Sequence, residues 1–155
     1  MEWRRRLLVA AIVVGAVALA GLIASATIPR WWAQQIGGQV DGSIVTGVFV
    51  GLFYGFVFTA LPLLVLMAVL HWRRTWRAIA VAAVLAVLLA IPNLMTLGIV
   101  LGTGNAAHAG ERTMDVEAPA FRGATLAGAL IALGLAGFVG YLLVSRSEPE
   151  PRHAP

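Results

Sequence analysis

The sequence contains no cysteine and no lysine, and only 12% of its 155 residues are charged. Without cysteine there is no disulfide, no thiolate nucleophile and no cysteine-ligated zinc or iron–sulfur centre. The charged share is about half the roughly 25% usual in soluble domains. Hydrophobic residues make up 60% of the chain, beside 17 glycines. A soluble domain this small has too high a surface-to-volume ratio to hide so much apolar surface, and a disordered chain would be polar. What remains is a membrane protein.

Crossing roughly 30 Å of hydrocarbon as a helix takes about 20 apolar residues. Four stretches qualify: 7–28, 44–70, 78–102 and 123–144, none of which contains Asp, Glu, Arg, Lys or His. The expected fold is therefore all-α, an integral membrane four-helix bundle with short loops occupying 1–145. The residues 146–155 are polar and proline-rich and are expected to form a disordered tail.

All eleven basic residues are arginine, and their placement orients the spans. Arg4, Arg5 and Arg6 precede the first span, Arg73, Arg74 and Arg77 sit between the second and third, and Arg146 and Arg152 follow the fourth. Against these eight, the other side holds three, Arg30, Arg112 and Arg122. By the positive-inside rule both termini are cytoplasmic; the all-arginine basic set, beside abundant Ala, Val, Gly and Leu, looks like the codon usage of a high-GC bacterium, whose inner membrane is the expected location. Trp31, Trp32, Trp72 and Trp76 fall at span ends, where an amphipathic ring acts as an interface anchor. The net charge of +4 is thus a topological bias, not a nucleic-acid-binding face. Ala24-Ser25-Ala26 imitates a signal-peptide cleavage site, but the apolar stretch before it exceeds the usual 7–15 residues, so an uncleaved first span is expected.

In lipid, helices associate by close backbone approach at small residues. Ladders at spacing four run through every span: Ala16, Ala20 and Ala24; Gly47, Gly51 and Gly55; Ala78, Ala82, Ala86 and Ala90; and Ala124, Gly128, Ala132, Ala136 and Gly140. The glycine ladder is the most specific, because each glycine costs about 1 kcal/mol of helix propensity relative to alanine. It is expected to pack against another helix, flanked by Phe49, Phe53, Tyr54, Phe56 and Phe58. Pro62 and Pro92 lie inside spans and are expected to kink them, with Thr59 and Asn93 near enough to satisfy freed backbone groups.

Chemistry-bearing residues are confined to loops. The first outer loop is expected to start as a short interfacial segment broken at Gly37-Gly38, with Asp41 or Ser43 capping the second span. His108, Glu111, Asp115 and Glu117 lie within ten residues in the second outer loop, but their spacing matches no metal motif. A solvated, flexible loop is expected there, without a metal or cofactor. Spans free of ionisable groups disfavour a proton-coupled transporter, and the histidines support no catalytic triad.

The stretch from Pro29-Arg30-Trp31-Trp32-Ala33-Gln34 through Gln39-Val40-Asp41-Gly42-Ser43 to Gly51-Leu52-Phe53-Tyr54-Gly55-Phe56 resembles small four-span actinobacterial membrane proteins, some loosely labelled permease. The resemblance implies location and span number but carries no activity or site residues. The expected role is a non-enzymatic accessory or scaffold subunit that contacts membrane lipids and a membrane-protein partner or a second copy of itself. The alternative is a permease-like transport component for a lipid or other apolar solute, with Pro62, Pro92 and the aromatic side of the second span along its path.

Overall fold

The computed structural model describes residues 2–72 and 75–145. The chain is all-helical over these residues: α1 (Glu2–Val40), α2 (Ile44–Trp72), α3 (Trp76–Leu101), α4 (Asn105–Glu117) and α5 (Phe121–Ser145). Four of the five, all but α4, are long and apolar enough to cross a membrane. This is a multi-pass membrane protein. Arg73, Arg74 and the tail 146–155 lie outside the described residues, as does the Trp72 side chain.

The turn after α1 falls where the sequence supplies turn chemistry. Asp41 and Gly42 both take left-handed backbone angles, with φ of 51° and 69°, which Asp tolerates better than most residues and Gly adopts without steric cost. The Asp41 amide donates to Gly37 O at 2.8 Å and the Ser43 amide to Val40 O at 3.1 Å, closing the end of α1. Gly102, Thr103 and Gly104 separate α3 from α4, and Ala118, Pro119 and Ala120 separate α4 from α5.

Two expectations for the outer segments are corrected. Helix α1 does not end at residue 28: it continues through Pro29, Gly37 and Gly38 to Val40. Its 39 residues measure about 58 Å at 1.5 Å per residue, nearly twice the hydrocarbon thickness of roughly 30 Å. The segment carrying His108 and Glu111 is not a flexible loop but the amphipathic helix α4, with Ala106, Ala107, Gly110 and Met114 buried.

The chain forms two compact units, Met1–Ile44 with Leu94–Pro119 and Val45–Asn93 with Ala120–Pro155. In the first, α4 packs on α1. Trp32, Ala33, Ile36 and Val40 of α1, Ile99 of α3 and Met114 of α4 supply its buried side chains. The spacing of 32, 33, 36 and 40 is that of one helical face. In the second, Ala82 and Ala86 of α3 and Phe121, Ala124 and Ala132 of α5 are buried.

Candidate functional site

Within the second unit, α2 and α5 meet through glycine on both sides. A β-carbon at Gly51 would lie 2.5 Å from Phe121 O and 2.7 Å from the Ala124 β-carbon, and one at Gly55 would collide with Thr125 O. Conversely, a β-carbon at Gly128 would lie 2.5 Å from Leu52 O and 2.8 Å from Phe56 N. No side chain larger than hydrogen fits at these three positions without moving a backbone. Gly47 is buried one turn earlier, Ala132 is buried farther along α5, and Ala136 and Gly140 are half-buried. At Gly140 the approach has relaxed, with Met67 Cε 4.0 Å from the β-carbon position.

These contacts give direction and register. Gly51 faces Ala124, and farther along α2 Met67 faces Gly140, farther along α5. Facing residues are about 73 positions apart along the seam, so α2 and α5 run parallel. Tyr54 stands beside this seam, its ring 5.9 Å from the fully buried Phe121 and 5.2 Å from Phe58. Phe49 and Phe53, by contrast, are 69% and 59% exposed and point away from the chain. The aromatic flank is thus divided between the seam and the outer surface.

Farther along α2, the Asn93 amide nitrogen donates to Thr59 Oγ1 at 2.9 Å and to Gly55 O at 3.3 Å. Asn93 and Thr59, expected from the sequence to satisfy backbone groups freed by Pro62 and Pro92, instead bond to each other and, through Asn93, to Gly55 O. The carbonyl that Pro62 leaves without its helical donor is that of Phe58, four residues earlier, whereas Asn93 reaches Gly55. The two polar side chains instead join α3 to α2. Asn93 Oδ1 is buried with no hydrogen-bond partner among the described residues. Both prolines lie within continuous helices.

In the first unit, glycines again mark close approach. A β-carbon at Gly110 would lie 2.8 Å from Pro29 O, and one at Gly37 would run into the Glu117 side chain. The Gly42 amide donates to Glu117 O at 2.8 Å, tying the end of α4 to the turn after α1. Gly37 thus seats α4 instead of breaking α1. Trp32 is also reassigned. It is only 7% exposed, and its indole N–H donates to Thr96 Oγ1 at 3.0 Å, so it is packed inside the unit and is not an interface anchor. Trp31 and Trp76 are 51% and 79% exposed.

Of the loop donors, His108 Nδ1 lies 3.7 Å from Glu111 Oε2, an exposed pair one helical turn apart. Such surface pairs contribute little. No group of three or more His, Cys, Asp or Glu among the described residues converges as a metal site does. Arg4, Arg5, Arg6 and Arg77 are exposed.

Gly37, Gly110, Trp32 and Thr96 escape a reading centred on spans. The signal for α4 was nevertheless present: Ala106, Ala107, Gly110, Met114 and Ala118 recur at helical spacing. No protein-family model matches this chain, and neither curated proteins nor solved structures give a match.

Proposed function

We propose that the protein is a non-enzymatic accessory or scaffold subunit of a complex in the cytoplasmic membrane of a bacterium, with both termini in the cytoplasm. The reading rests on the first part of α1. Its most apolar 18-residue stretch is 0% buried within the chain. Leu7, Leu8 and Val9 are all exposed, as are Ile12, Val13 and Val14. At 100° per residue these six positions leave no gap wider than about 100° around the helix axis, so every side of it is exposed. This segment therefore has no neighbour among the described residues, yet it carries small residues at Ala16 and Ala20, where another membrane helix can approach closely.

The orientation draws support from the arginine bias and from α2 and α5 running parallel, as the second and fourth of four alternating crossings must. The accessory reading is preferred to transport of an apolar solute because Phe49 and Phe53 face outward and do not line a path.

Since the chain lacks cysteine, Ala16→Cys or Ala20→Cys introduces a single thiol. Cross-linking in native membranes, followed by purification and mass spectrometry, should capture one defined protein at stoichiometric yield, or a second copy of this chain. Recovery of uncross-linked monomer from both variants would overturn the reading.

A further inference from the structure

Where α2 ends and α3 begins, Val65 and Val69 of α2 and Ala78, Ala82 and Leu85 of α3 wall an open groove of about 400 Å³, with Arg77 at its mouth. Val65 and Val69 are four residues apart, as are Ala78 and Ala82, so each pair lines one helix face. The alanine methyls leave the trough open, and the valines give it an apolar opposite wall.

Arg77 is the second residue of α3. A cation in the first helical turn opposes the macrodipole, while the free N–H groups there favour an anion. Arg77 is exposed and has no ion pair among the described residues. An arginine at the headgroup level beside an apolar trough between two membrane helices is suited to a lipid phosphate. Trp76, 79% exposed, marks the same level.

We propose that this groove binds one anionic phospholipid, with its phosphate on the Arg77 guanidinium and the first turn of α3 and an acyl chain along Val65, Val69, Ala78 and Ala82. The site is independent of the accessory-subunit reading, which rests on α1. A contrast exists within the chain: Arg5 and Arg6 also adjoin an apolar surface, but it is lined by Val9, Ala10, Val13 and Val14 of the same helix. That surface lacks a second wall and should not retain a lipid selectively.

The test uses the full chain in mild detergent, titrated with phosphatidylglycerol or phosphatidylcholine and read by native mass spectrometry. One phosphatidylglycerol per chain should be retained in preference to phosphatidylcholine. Arg77→Gln, an exposed substitution, should weaken that retention about fivefold. Ala78→Leu fills the trough without altering charge and should lower retention of both lipids, whereas Arg5→Gln should change neither. Inorganic phosphate should not displace the lipid. Unchanged retention in Arg77→Gln, an equal loss in Arg5→Gln, or displacement by phosphate alone would each overturn the proposal.

Discussion

Trp32 and Thr96, 64 residues apart in sequence, are joined by a buried hydrogen bond of 3.0 Å from the indole nitrogen to the hydroxyl. The bond fixes α1 to the end of α3 within one unit and turns an apparent membrane anchor into a core residue. Trp32→Phe keeps most of the ring volume and removes the donor, so it should lower stability by about 1 kcal/mol. Trp32→Ala also opens a cavity and should cost about 3–5 kcal/mol. Unfolding in detergent micelles, followed by circular dichroism, checks both; equal stability of the two variants would contradict the assignment.

Glycines in this chain divide sharply by surroundings. Gly128 has backbone atoms of α2 within 3 Å of its β-carbon position, while Gly15 has nothing within 4 Å. Gly128→Ala should therefore destabilise by about 1–3 kcal/mol through overpacking. Gly15→Ala should be neutral or stabilise by up to about 1 kcal/mol through helix propensity. Thermal unfolding of the two variants side by side reads the difference, which should have opposite signs or nearly so.

The Asn93–Thr59 bond lies between membrane helices, where interhelical hydrogen bonds are worth about 0.6 kcal/mol on average. A double-mutant cycle with Asn93→Leu and Thr59→Val should give a coupling of about 0.5–1.5 kcal/mol. A coupling of zero would mean that the pair does not form in the folded protein.

Gly110 seats α4 against Pro29 O. Gly110→Leu should lift α4 from α1 and expose the backbone around Arg112 to trypsin. Cleavage there should become several times faster than in the unaltered chain, while the membrane spans stay intact. Resistance equal to that of the unaltered chain would show that α4 does not depend on this approach.

Orientation is testable without purification. A reporter fused after Arg77 should signal from the cytoplasm, and one inserted near Glu111 should signal from outside, as the arginine asymmetry requires. An external signal at Arg77 would invert the topology.

The spans and the glycine ladder were legible because lipid imposes simple rules. Hydrocarbon forbids unpaired backbone groups and charge, so apolar length marks a helix, and close packing selects glycine at Gly51, Gly55 and Gly128. The outer segments followed different physics. Gly37-Gly38 reads as a break by propensity alone, yet α1 continues because Glu117 packs on Gly37 and rewards the missing side chain. Pro29 lies inside the same helix, where tertiary packing overrides its local penalty. Trp32 and Trp31 are adjacent and alike in composition. Only the helical phase, which turns 100° per residue, sends one inward and leaves the other exposed.

The 73-residue offset between α2 and α5 has a consequence in time. At synthesis rates of about 5–20 residues per second, α2 emerges roughly 4–15 s before the residues that will face it. Throughout that interval Gly51 and Gly55 are in the bilayer without Thr125 or Phe121 to cover them. The groove is first solvated by lipid chains or held by the insertion machinery, and α5 must displace that occupant when it arrives. Assembly of this unit therefore includes an exchange of neighbours, completed once α5 has been made.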